Sequence, residues 1–147
     1  MRSFRVLFVV LCLAGSLLAA ESPFTGTWKL KPAQGDSTKA TAKVEADEHN
    51  FKVNQQTVDE KGEPSTLIFQ AKFDGKDYAV SSTPPEYDTA TVVRISERHV
   101  KVTFKKAGKR VGESDVAVSE DGKTTTLVYT DYSENTPKQY TTLWDKQ

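Results

Sequence analysis

The chain has 147 residues, 37% of them hydrophobic and 27% charged, with 20 basic residues against 20 acidic ones. That balance excludes the concentrated basic field that a nucleic-acid or anionic-membrane surface needs. The length suits one domain built around one core.

Residues 1–20 read as an export signal. Arg2 and Arg5 form a short basic head, Val6 to Ala14 is an apolar run, and Gly15-Ser16-Leu17-Leu18-Ala19-Ala20 places small residues before Glu21. The run is too short for a membrane span, so the mature chain is expected to have none. Cys12 follows Leu11, whereas a lipid-anchoring signal resembles a pattern with a small residue just before the cysteine; no lipid anchor is expected. Export to the periplasm or the extracellular space follows, with residues 21–147 as the mature domain. Cys12 is the only cysteine, so that domain is expected to hold no disulfide and no thiolate metal site. Without Arg2 and Arg5 the balance is 18 basic against 20 acidic residues, interleaved as on a solvated sheet exterior.

From Gly26 onward the pattern is a succession of short alternating strands. Gly26 to Leu30 is the first, followed by Lys39 to Ala46, Phe51 to Val58, Leu67 to Phe73, Tyr78 to Ser81 and Thr89 to Ile95. His99 to Lys105, Arg110 to Val118, Thr124 to Asp131 and Gln139 to Trp144 complete the set. Leu67, Phe69, Ala71 and Phe73 share one face, as do Val100, Val102 and Phe104, with polar residues between them. Lys61-Gly62, Asp74-Gly75-Lys76, Ala107-Gly108-Lys109 and Asp121-Gly122-Lys123 supply hairpin turns. Pro32, Pro64, Pro84, Pro85 and Pro137 are placed outside the strands, because proline cannot donate a ladder hydrogen bond. Gly112 falls inside a strand and is read as a bulge or bend.

Strands joined only by tight turns must be antiparallel neighbours. The expected fold is therefore all-β: an antiparallel up-and-down meander closed into a barrel of about eight to ten strands, since closure removes exposed edges. A two-sheet sandwich is the other arrangement, but it normally makes longer crossings.

The first strand carries a motif. Phe24-Thr25-Gly26-Thr27-Trp28-Lys29-Leu30 resembles the opening of calycin-superfamily barrels, both the Gly-x-Trp of lipocalins and the Phe-x-Gly-x-Trp of fatty acid-binding proteins. The chain is similar in its whole architecture to a short secreted lipocalin-like domain. It departs from fatty acid-binding proteins at Lys31 to Thr38, which has no room for their two short helices. In this setting Gly26 and Trp28 are expected to be barrel-closing structural residues, the glycine at the entry turn and the tryptophan as an end plug.

The resemblance implies a non-catalytic protein that binds a small apolar or amphipathic molecule and acts as a monomer. Phe69, Phe73, Val102 and Phe104 are the candidate inward lining, either packing the core or bounding a cavity. Lys138-Gln139-Tyr140 is similar in place to the Arg-x-Tyr that holds a carboxylate in fatty acid-binding proteins, which makes Tyr140 a candidate, although lysine lacks the planar fork of arginine. Arg94, between Val93 and Ile95, is either an inward cation or an exposed arginine whose stem covers apolar surface. His49 and His99, the only histidines, lie beside turns with no metal-ligand spacing around them. No serine or carboxylate pair is framed for catalysis, and no cofactor motif is present. The alternative function is a secreted interaction module or inhibitor that uses the barrel's loops or N-terminal segment.

Overall fold

The structure, a computed structural model, describes residues 21–147. The export signal expected over residues 1–20 lies outside the described residues.

Ten strands run in chain order: β1 (Gly26–Lys31), β2 (Lys39–Ala46), β3 (Asn50–Val58), β4 (Pro64–Lys72), β5 (Tyr78–Thr83), β6 (Thr89–Ser96), β7 (His99–Lys106), β8 (Lys109–Val118), β9 (Thr124–Asp131) and β10 (Lys138–Lys146). Each pairs antiparallel with its neighbours in sequence, and β1 pairs with β10 through Trp28–Lys146 to Lys31–Leu143, which closes the sheet into an up-and-down barrel. The alternation predicted from the sequence sets the faces. Trp28, Ala42, Val53, Phe69, Val92, Val102 and Trp144 are buried inside, while Lys29, Lys43, Lys52, Gln70 and Lys72 stand outside in water.

Two details differ from what the sequence predicts. Pro64 is inside β4 as its first residue, opposite Val58, a position where a missing N–H does not interrupt the ladder. Gly112 does sit at an irregularity, since the β7–β8 register shifts between Phe104 and Lys105 and leaves Val111 extra. Yet the reason for glycine there is a neighbour: a Cβ would collide with the hydroxyl and ring of Tyr129 on β9.

The two ends of the barrel are built differently. The chain enters at the end that also carries the β2–β3, β4–β5, β6–β7 and β8–β9 turns. There Phe24 is 2% exposed, packs edge-on against Phe51 at 5.6 Å, and accepts the Trp28 indole N–H on its carbonyl at 2.9 Å. Thr25 locks the same segment to the end of β2, its hydroxyl donating to the Ala46 carbonyl and accepting from the Ala46 N–H. Gly26 turns the chain into β1 at φ 146°, with the Lys146 side chain packed where a Cβ would go. Thus Phe24 closes this end and Trp28 lies one inward row beneath it.

At the opposite end the β5–β6 connection folds over the interior. Tyr87 stacks on Phe104 with ring centroids 4.5 Å apart, and its hydroxyl is 2.7 Å from that of Tyr129. β5 and β6 are paired only at Tyr78–Ala90 and Ala79–Thr89, so the rest of β6 relies on β7. Val93 and Ile95, on that stretch, are exposed hydrophobics.

Candidate functional site

Between these two closures lies an apolar cavity of about 90 Å³, and the space continuous with it, open solvent included, amounts to about 620 Å³. Its walls come from eight of the ten strands plus the N-terminal segment: Phe24, Trp28, Phe51, Phe69, Val102 and Trp144 give the aromatic and branched lining, and Leu67 and Leu127 extend it. Small side chains at Ala42 and Ser114 leave the room. The alternation of large and small inward residues is what a barrel of this circumference needs in order to be nearly, but not wholly, filled.

Of the candidates that the sequence singles out, Phe69 and Val102 line this cavity. Phe104 is buried, but under Tyr87 rather than on the cavity wall. Phe73 lies at the entry end, half-buried against Phe51 at 5.9 Å. Arg94 belongs to the inward row of β6 by register with Val100, yet it lies where that row leaves the barrel. Its guanidinium sits over the Phe73 ring at 4.1 Å and donates to the Asp47 carbonyl at 3.0 Å. Tyr140 faces the same side as Tyr129 across the β9–β10 ladder but is 52% exposed at the rim. Trp28 is 4% exposed and forms part of the cavity wall, and Gly26 keeps the entry turn. The structure therefore joins Phe69, Val102 and Trp28 in one site and leaves Phe73, Arg94, Phe104 and Tyr140 outside it.

Three polar side chains reach the cavity: Gln55, Ser114 and Thr125. The Gln55 carboxamide donates to Thr57 Oγ1 at 3.2 Å. Thr125, only 7% exposed and flanked across the ladders by Val118 and Trp144, holds the single buried side-chain polar atom among the described residues that lacks a hydrogen-bond partner, its Oγ1. A buried hydroxyl left unpaired costs about 1–3 kcal/mol. Both tryptophan N–H groups are engaged, Trp28 with the Phe24 carbonyl and Trp144 with Thr142 Oγ1, so neither is free for another partner. Sequence patterning places Thr125 in a strand but gives no sign of its isolation, because Thr124-Thr125-Thr126 reads as three equivalent threonines.

The titratable groups lie away from this cavity. Burial, and then the Tyr129 hydroxyl, push the Tyr87 phenol far above its ordinary range; burial also raises Tyr129. His99 Nε2 meets Asp115 at 2.9 Å on the outer face, beside the Lys101–Glu113 pair. Solvent-facing pairs of this kind contribute little to stability. Among the described residues no three of His, Cys, Asp and Glu are grouped to hold a metal ion, and no helix is long and apolar enough to cross a membrane.

The geometry defines a class: a ten-stranded, antiparallel, closed β-barrel of up-and-down topology, compatible with the calycin architecture, with a partly open interior cavity that no ionisable side chain lines. No protein-family model matches the chain, and no curated protein matches its sequence.

Proposed function

We propose that this is a non-catalytic binding protein, exported to the periplasm or the extracellular space, that holds one small apolar or amphipathic molecule inside its barrel. The carrying observation is the apolar cavity between the Phe24 and Tyr87 closures. At about 90 Å³ it is smaller than the roughly 150 Å³ void that admits benzene and well below the roughly 300–1,000 Å³ of drug-sized pockets. A ligand of a few heavy atoms fits as the walls stand; a fatty acyl chain requires the walls to move apart. Native mass spectrometry of the protein purified from its producing cells, followed by titration with a size series of apolar probes, tests this. The expected result is a retained small mass, or saturable binding that falls off with probe size; a dry interior that takes up no probe would overturn it.

A second reading, an interaction module, has one feature in its favour. The solvent groove beside the N-terminal segment is lined by Glu21, Glu45, Asp47, Glu48 and Glu97, with Arg94 as the cation among them. Recovery of a stoichiometric protein partner, lost when Glu45 and Glu48 are neutralised, would favour it.

A further inference from the structure

The cavity wall carries information about the ligand's polarity as well as its size. Among the described residues, no ionisable side chain lines it. The nearest candidates are held elsewhere: Arg94 is bound to Asp47 and Phe73 at the entry end, and Lys138 pairs with Glu134 at 2.8 Å near the other. An ionised ligand placed in the cavity would lose its hydration with no counter-charge to replace it. A wholly apolar ligand would leave the Thr125 hydroxyl as it stands, buried and unpaired. A hydroxyl both donates and accepts, so the atom that suits it is an uncharged oxygen.

We propose that the interior ligand is a neutral aliphatic molecule of about four or five heavy atoms, carrying one hydroxyl or carbonyl oxygen that hydrogen-bonds to Thr125 Oγ1 once a χ1 rotation turns that buried atom from the barrel wall toward the cavity. This rests on the interior being a ligand site. The aliphatic part lies against Phe51, Phe69 and Val102, and the oxygen points toward the wall formed by Thr125 and Trp144. The alcohol and ketone classes share this chemistry, since Thr125 can donate to either and accept only from the alcohol.

The two tryptophans, the only ones in the chain, both line the cavity, so their two indole N–H resonances report its occupancy. The purified protein is titrated with 1-butanol, butan-2-one, 1-chlorobutane and butyrate while these resonances are followed, and the series is repeated with Thr125→Val and Thr125→Ser. Butanol and butanone are expected to bind, with butyrate at least about tenfold weaker at neutral pH. The affinity ratio of butanol to chlorobutane is expected to fall about tenfold in Thr125→Val, the scale of one neutral hydrogen bond, and to be kept in Thr125→Ser. Butanone in place of butanol distinguishes the carbonyl from the hydroxyl by the same ratio. Binding of all the neutral probes with a ratio unchanged by Thr125→Val would overturn this inference and leave the apolar-ligand function standing. Preference for butyrate would also overturn it. Failure of every probe to shift either indole resonance would remove the ligand site itself, and the inference with it.

Discussion

Gly112→Ala tests the packing logic of the barrel most directly. Gly112 has no left-handed backbone requirement, so in an open strand this change would stabilise by about 0.4–1 kcal/mol through the unfolded chain. Here the added methyl meets the Tyr129 ring, whose Cε2 and Cζ would each be 2.8 Å away, closer than any relaxed contact. Tyr129 cannot simply swing aside, because its hydroxyl is held at 2.7 Å by Tyr87, which is itself stacked on Phe104. Overpacking of this kind costs about 1–3 kcal/mol, and loss of the Tyr87–Tyr129 bond adds about 0.5–1.5 kcal/mol. Against the backbone gain, the net expectation is a loss of about 2 kcal/mol. With a urea slope of about 1–3 kcal/mol per molar, the unfolding midpoint should fall by about 1 M at unchanged slope. Tyr129→Phe removes the nearest clashing atom, so the double variant should be less destabilised than the two single changes together. A neutral or stabilised Gly112→Ala protein would refute the reasoning and return Gly112 to the role of a simple bulge residue.

Other expectations follow from the same geometry. Phe24→Ala should cost about 3 kcal/mol, the lower range for a buried phenylalanine because the terminal segment can partly collapse, and should red-shift tryptophan emission as Trp28 is wetted. Tyr87 and Tyr129 have folded pKa values above the ordinary tyrosine range, so the unfolded chain loses these protons first; stability should be intact below about pH 10 and decline as pH rises beyond it, in step with phenolate absorbance. At the acid side, turn carboxylates are held below their ordinary pKa: Asp47 chiefly by the N–H groups of His49 and Asn50, and Asp121 chiefly by the Ser119 hydroxyl and then the Lys123 N–H. Because these folded values are lowered, their contribution is present above about pH 4 and is lost as pH falls through them. Urea midpoints measured from pH 7 to pH 2 should therefore decline in that window, with a shallower slope in Asp47→Ala and Asp121→Ala; equal slopes in all three would contradict this.

Much of the fold is legible in the residue order because the barrel is made of local decisions. Leu67-x-Phe69-x-Ala71 and Val100-x-Val102-x-Phe104 can bury one face only as strands, and Asp74-Gly75 or Asp121-Gly122 can only reverse the chain between them. Strand boundaries differ by a few residues where no side chain forbids it, as where β4 begins at Pro64. Site membership is less legible. Arg94 and Tyr140 obey the inward alternation, but alternation does not say how far along the barrel axis a residue lies, and both stand at its rims. Tyr87, in a proline-rich connection, follows no periodicity and still closes one end, because a loop side chain can fold inward once the strands beneath it are assembled.

The amino-acid sequence by itself determined the class of architecture, the antiparallel order of neighbours and the inward rows, since each depends on residues close together along the chain. Only the tertiary structure decided the register in which β1 meets β10, that Phe24 rather than Trp28 is the outer plug, that Gly112 makes room for Tyr129, and that Thr125 lines an uncharged cavity with its hydroxyl unpartnered. Those are distances between residues remote in sequence, set when the sheet closes on itself. No local pattern contains them.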